Sequence, residues 1–553
     1  MTEKPQGART GADAFIDSLV AAGARYVFGN PGTTEQAFLD ALGDRDDIEL
    51  VVALHEGVAV GAADGYARLT GRPAVVQLHT MCGLGNAMGM LSNADFGRSP
   101  LVVYVGGAAQ RAAHTEPALG GDLVAMAASV TRWAWEVRSV EEIPTVVARA
   151  FKVALTPPFG PVVIAVPNDL MDQACSGPIA PPTWISTTTQ PDTATIDMIA
   201  ARAIAAESPA IVIGDGVGGP GAGAAISRLA HAIGAPVYGA YLTQAVLPDT
   251  DSLDAGDLPL FDSAAARTRL EGHDLLLAIG VDLLRSVFPE PGAPLPGANV
   301  IHIAATAWDL GKNQPCTAIV ADELTATELV SRAVEQSAAQ VRTRARRERV
   351  EQELELARSQ RRVSREAARR ERPLGIDGVL AQLAAVLPHD AIVFDESVSA
   401  MPAVAEWLPR CPGAWFRSRG GGLGAGMSAP VGAALAMPNR PIVAVVGDGS
   451  MMYTNTALWT AARHRLQITW VILDNGGYRI LEANTRAWRS ALGSPDRPFV
   501  GTDLGHPSID IAGVATAFGV AAWRVDGAEL LEPALKGALA QAGPALVHVI
   551  VAR

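Results

Sequence analysis

The chain has 553 residues, four cysteines and a formal net charge of −13. That length exceeds the roughly 250–300 residues at which one hydrophobic core stops growing, so several domains are expected. The acidic balance speaks against nucleic acid as a partner, and no unbroken apolar run reaches the about 20 residues of a membrane span. The scattered Cys82, Cys175, Cys316 and Cys411 form neither a zinc motif nor a disulfide framework.

The opening stretch, MTEKPQGART, is polar, so residues 1–10 read as a flexible N-terminus without a secretory signal, and a reducing cytoplasm is the expected setting. Residues 11–175 alternate short β-branched runs (ARYVFGNPG, LVVALHEG, AVVQLHTMCG, LVVYVGG, PVVIAVP) with Ala-rich helical stretches. That alternation predicts βαβ units and a parallel sheet. A Pro/Ser/Thr-rich linker is expected over 176–192. The same grammar returns over 193–340, in PAIVIGDG, APVYGAY, DLLLAIG and ANVIHIA. There Gly214, Gly216 and Gly219 form a Gly-x-Gly-x-x-Gly, which fits either a plain strand-to-helix turn or a nucleotide site. Residues 341–373 are dense in Arg and Glu and read as a solvated linker helix ended by Pro373. A third block, 374–553, runs through DAIVFDES, PIVAVVGDG, ITWVILDNGG and PALVHVIVA. The expected fold is therefore α/β, with three open parallel-sheet domains whose ligands sit beyond the carboxyl ends of the strands.

Two of those strand ends stand out. IVAVVG stops at Gly447-Asp448-Gly449, and ITWVIL stops at Asp474-Asn475-Gly476-Gly477. Asp448 and Asn475 lie 27 positions apart, the length of one right-handed crossover, which brings two parallel strand ends side by side. A carboxylate, an amide oxygen and a main-chain carbonyl would then converge. These hard oxygens suit Mg²⁺, with Ca²⁺ possible in its place. The glycines and a helix starting near Ser450 would admit a diphosphate.

This spacing resembles the signature of the thiamine diphosphate-dependent 2-oxo acid decarboxylase and acetolactate synthase-like family. Most is shared with benzoylformate decarboxylase, through VFGNPGTTE, LHTMCGLGNAMGMLSNA, FDES, GGLG and GDGS…ALWTAA. Asp474 stands where the family has asparagine. The resemblance implies three domains of that enzyme type: pyrimidine-binding, central and diphosphate-binding. It implies Asp448, Asn475 and the Gly477 carbonyl as metal ligands, with Gly447, Gly449, Ser450 and Tyr478 beside the cofactor. Glu56, in HEGVAVGAADGYAR, takes the place of the acid that activates the cofactor's aminopyrimidine, and Leu423, after Gly422, that of the apolar residue beneath it. His79 matches the proton-donating histidine, and Thr33 a hydroxyl that holds the substrate carboxylate. Thr80, His114, Val398, Ile480 and Leu481 complete the candidate pocket. FAD is not expected, although some relatives bind a nucleotide in the central domain.

Two departures follow from the same resemblance. The place of a second histidine falls near Val287, and that of a pocket aromatic near Asn484. The implied reaction is non-oxidative decarboxylation of a 2-oxo acid to an aldehyde, by ylid addition, CO₂ loss and enamine protonation. Acyloin or acetolactate synthase-like carboligation is the alternative, and a non-catalytic cofactor-binding scaffold subunit a remote one. Because the family builds each site from two subunits, a homodimer or homotetramer is implied, without nucleic acid or membrane.

Overall fold

The structure is a computed structural model. It describes residues 9–551 except 44, 180, 220, 241, 260–262, 286–294, 296–297, 339 and 373. Residues 1–8 and the position near Val287 therefore lie outside the described residues. Arg9 and Thr10 are held in place. Thr10 bridges Ala174 and caps the Gly11–Ala21 helix, and the Arg9 carbonyl accepts from Cys175.

The chain forms three six-stranded parallel sheets. The first contains Tyr26–Gly29 (β1), Glu49–Val52 (β2), Ala74–His79 (β3), Leu101–Gly107 (β4), Trp133–Glu136 (β5) and Pro161–Pro167 (β6). Their order is β2-β1-β3-β4-β6-β5. β3, β4 and β6 are almost wholly buried, which explains their unbroken Val/Ile/Leu character in place of alternation.

The second sheet contains Pro209–Ile213 (β7), Val237–Gly239 (β8), Asp254–Asp257 (β9), Leu275–Ile279 (β10), Val300–Ala304 (β11) and Thr317–Val320 (β12). Its order, β12-β11-β10-β7-β8-β9, is that of doubly wound dinucleotide folds. The third contains Ile392–Glu396 (β13), Trp415–Arg417 (β14), Ile442–Gly447 (β15), Ile468–Asp474 (β16), Ala521–Val525 (β17) and Ala545–Ile550 (β18). Its order is β14-β13-β15-β16-β18-β17.

By contacts the chain divides into two compact units, Met1–Ile185 with Pro373–Val404 and Ser418–Arg553, and Ser186–Arg372 with Ala405–Arg417. In the first unit, the Glu56–Thr70 helix and the Ala425–Ala436 helix lie against each other with almost no side chain between them. A Cβ on Gly65 would overlap the Ala429 carbonyl, and one on Gly432 the Ala62 carbonyl. Only glycine permits so close an approach.

In the second unit the Arg/Glu-rich segment is a helix, Gln340–Glu371. Its Arg346 guanidinium is buried and donates to the Ile233, Ala206 and Ala203 carbonyls, satisfying backbone acceptors near two helix ends. Gly214 and Gly216 have a packing reason, whereas a Cβ on Gly219 would meet nothing within 4 Å. A Cβ on Gly214 or Gly216 would press on Gly280, and Asp215 Oδ1 accepts from Thr243 Oγ1 (3.1 Å) and the Gln244 amide (2.9 Å). Among the described residues no helix is long and apolar enough to cross a membrane.

Candidate active site

The tips of β15 and β16 are neighbours, registered up to Gly447 against Leu473. Asp448 and Asn475, distant in sequence, meet there at one backbone amide. The Gly477 N–H donates to Asp448 Oδ2 and to Asn475 Oδ1, each at 3.1 Å. The 476–478 loop is itself fixed. Tyr478 donates to the Thr502 carbonyl (2.8 Å), and the Gly476 carbonyl accepts from Leu504 (3.0 Å). The Gly477 carbonyl accepts from the Arg479 amide and keeps a second lone pair.

Burial, reinforced by the charge of Asp474, pushes the Asp448 carboxyl up to about 6. A cation beside it would oppose both effects. One carboxylate, one amide oxygen and one carbonyl therefore fit a hard divalent ion. Among the described residues no cluster of three or more His, Cys, Asp or Glu offers a softer or more acidic site.

Beside this loop, a Cβ on Gly447 would meet nothing nearer than 3.7 Å, whereas one on Gly449 would strike the Tyr478 ring. Gly449 thus seats Tyr478, and a Cβ on Gly447 would make only ordinary contact. Ser450 is buried in a short helical turn, Asp448–Met451. The helix expected to start near Ser450 therefore starts at Asp448 and breaks before resuming at Ala457–Arg463. The Thr454 hydroxyl spends its proton on the Gly424 carbonyl, 2.6 Å away, which holds the break.

Glu56 is the first residue of the Glu56–Thr70 helix and is buried. No backbone amide holds its carboxylate. Asn30 Nδ2 donates to Oε1 (3.2 Å) and Asn86 Nδ2 to Oε2 (3.1 Å). Leu423 is half-buried in the turn before the Ala425–Ala436 helix. Its neighbour Gly422 is clamped by Asn93, which accepts from its N–H at 2.8 Å and donates to its carbonyl at 2.6 Å.

His79 ends β3. Its Nδ1 lies 3.0 Å from Glu35 Oε2 and 3.2 Å from Thr34 Oγ1. Glu35 is fully buried and also accepts from the Gly32 amide (2.7 Å) and from the Thr34 hydroxyl. With Nδ1 turned to a carboxylate, Nε2 is the nitrogen left to exchange a proton. Thr33 is exposed, and the hydroxyl turned toward His79 belongs to the next residue, Thr34. His114 is also exposed, in the Gln110–Thr115 turn.

Two β-branched residues take left-handed backbone among those described, Thr80 (φ 51°) and Val398 (φ 51°). Such geometry costs of order 1–3 kcal/mol and concentrates at functional sites. Thr80 is buried with its hydroxyl unpartnered. The turn holding Val398 packs against the Arg479–Leu492 helix, which carries Ile480 and the exposed Leu481.

Glu35, Asn30, Asn86 and Asn93 escaped sequence reasoning. Glu35 stands at the start of the Gln36–Leu42 helix, where an acid reads as an ordinary cap, yet it makes no side-chain cap bond to that helix.

Residues 9–126, 196–328 and 400–549 match, in order, the N-terminal TPP binding domain, the central domain and the C-terminal TPP binding domain of thiamine pyrophosphate enzymes. The chain is similar over its whole length to benzoylformate decarboxylase of Pseudomonas aeruginosa, with 32% identity and 98% of each chain covered. It belongs to the thiamine pyrophosphate enzyme family. An acetolactate synthase large subunit of Parasynechococcus marenigrum is 27% identical, covering 98% of this chain and 88% of that one. The structure of a thiamine diphosphate-dependent 4-hydroxybenzoylformate decarboxylase from Rhodococcus jostii RHA1 superposes with a TM-score of 0.84. It is 30% identical, covering 98% of this chain and 99% of that one. A thiamine pyrophosphate enzyme with three parallel α/β sheets is therefore what this chain is.

Proposed function

We propose that this thiamine pyrophosphate enzyme decarboxylates a 2-oxo acid without oxidation, releasing CO₂ and an aldehyde. In this reading it works with Mg²⁺, in the cytoplasm, as a homodimer or homotetramer whose subunits share each site. The observation that carries it is His79 locked to buried Glu35 at the end of β3, a proton donor held in one orientation.

Asp448, Asn475 and the Gly477 carbonyl would hold the cation, with Gly447, Gly449, Ser450 and Tyr478 around the diphosphate. Thiamine diphosphate, when bound, supplies a nucleophilic carbon and an electron sink for the charge left behind by CO₂. Glu56 holds a proton at its carboxyl for the aminopyrimidine ring, and Asn30 and Asn86 fix its two oxygens. Leu423 gives the ring system an apolar support. The hydroxyls of Thr33 and Thr80 orient the substrate carboxylate, while Val398, Ile480 and Leu481 offer apolar surface to its side chain. His79 delivers a proton from Nε2 to the substrate carbon that has lost CO₂, and Glu35 stabilises the ring as it gains and loses charge.

The second reading is carboligation, in which a second carbonyl compound replaces that proton. His114 lies on an exposed turn, which leaves His79 as the candidate proton donor, and slow protonation favours ligation. Purified protein with Mg²⁺, thiamine diphosphate and a panel of aliphatic and aryl 2-oxo acids separates the two. CO₂ with stoichiometric aldehyde supports decarboxylation. A coupled hydroxyketone supports ligation, and no turnover of any 2-oxo acid would refute both.

A further inference from the structure

At the tip of β16 a second carboxylate, Asp474, directly precedes the candidate ligand Asn475. Two carboxylates so close to a diphosphate-binding loop are an electrostatic burden, because like charges at short range repel each other and any anion brought near. The structure shows where the second one goes. Asp474 Oδ1 accepts from the Gly476 amide at 2.9 Å, which shapes the turn where Gly476 adopts φ 68°. Asp474 Oδ2 lies 2.8 Å from Nε2 of His548, on the neighbouring strand β18. His548 has no solvent exposure, sits on a strand that is otherwise Ala, Leu, Val and Ile, and pairs in register with Ile472. An imidazole costs free energy in such a place unless it is needed there. Among the described residues, Nε2 bonds to Asp474 and Nδ1 has no partner.

Building on the cation–diphosphate reading of this loop, we propose that His548 is a positioning residue. It donates to the Asp474 carboxylate from β18, offsetting the negative charge that Asp474 sets beside Asp448 and would set against the diphosphate. The pair explains how an aspartate can stand where the family signature carries an uncharged asparagine. It also ties the tip of β16 to β18, where the Asp474 carbonyl already accepts from Val551 at 2.9 Å.

The test is a double-mutant cycle read by calorimetric titration of thiamine diphosphate into Mg²⁺-saturated protein. His548→Leu removes the donor to Oδ2 of the half-buried Asp474, and should weaken coenzyme binding by about tenfold or more. Asp474→Asn alone should bind within about threefold of wild type. The double variant His548→Leu/Asp474→Asn should recover to that level, because the charge His548 manages is gone. His548→Gln, which keeps an N–H donor, should also bind within about threefold of wild type. If His548→Leu unfolds, Asp474→Asn must restore a wild-type melting temperature in the double variant. Equal binding by His548→Leu and wild type would overturn the inference. So would a double variant no better than His548→Leu, which would make the histidine mere core filling. Wild-type protein that takes up no coenzyme would instead bring down the reading on which the inference rests.

Discussion

The first and third sheets have the same strand order, yet the helix at the same place in that order meets a carboxylate put to opposite uses. Each has a helix between its second and third strands, Glu56–Thr70 in one and Ala425–Ala436 in the other. In the third sheet the acid comes from the end of β13. Both Glu396 oxygens are taken by the amides of Gly424, Ala425 and Gly426, at 2.9–3.1 Å. That carboxylate closes a helix terminus and is saturated. In the first sheet the acid is Glu56, on the helix itself, and only two side-chain amides touch it. One carboxylate is consumed by the fold, and the other is left with capacity for a ligand. Both acids are buried, and what separates them is the count of backbone donors.

The strongest way to break this comparison is Glu56→Gln. Turnover should fall by at least about a hundredfold, the lower end for loss of an acid–base group, while the melting temperature stays within about 2 °C of wild type. A large loss of stability would make Glu56 a second Glu396. Next come Gly65→Ala and Gly432→Ala, which test whether the two equivalent helices need direct backbone contact. Each should cost about 1–3 kcal/mol in denaturant unfolding, because the added methyl meets a carbonyl that cannot move away.

Glu396 offers a pH test. Burial pushes its carboxyl up to about 7, against the pull of the backbone amides, from an ordinary value of 4.5. A folded-state value above the unfolded one means that the folded chain holds the proton more tightly. The stability this adds is complete below the ordinary value and is lost as pH rises through about 7. The advantage of wild type over Glu396→Gln in thermal melting should shrink by about 2 kcal/mol from about pH 5.5 to about pH 8. The smallest effect expected is that of Glu35→Gln, which keeps the shape but removes the charge behind His79. It should lower kcat by about tenfold with KM little changed, the pattern of a group that acts after substrate is bound.

The meeting of Asp448 and Asn475 was legible in the sequence because it is local. Asp448 and Asn475 each sit at a strand end, and the crossover length between them fixes which strands are neighbours. His79 and Glu56 were legible for the same reason. Their partners were not, since Glu35 reaches His79 across 44 positions and Asn86 reaches Glu56 across 30, through loop and helix geometry that no period encodes. Thr33 and Thr34 show how fine the local geometry is. One residue decides whether a hydroxyl in a loop faces outward or toward His79, and Thr34 is the one turned toward His79. In the 214–219 loop, close backbone packing gives a reason for Gly214 and Gly216 but not for Gly219.

The seam between the Glu56–Thr70 and Ala425–Ala436 helices has a dynamic consequence. Backbone pressed on backbone leaves no room to slide, so these two lobes cannot breathe against each other as hinged jaws would. Admission of a substrate then falls to segments off the seam, the 108–122 stretch and the amphipathic helix after Tyr478. Deuterium should enter the amides of those segments long before it reaches the interlocked pair.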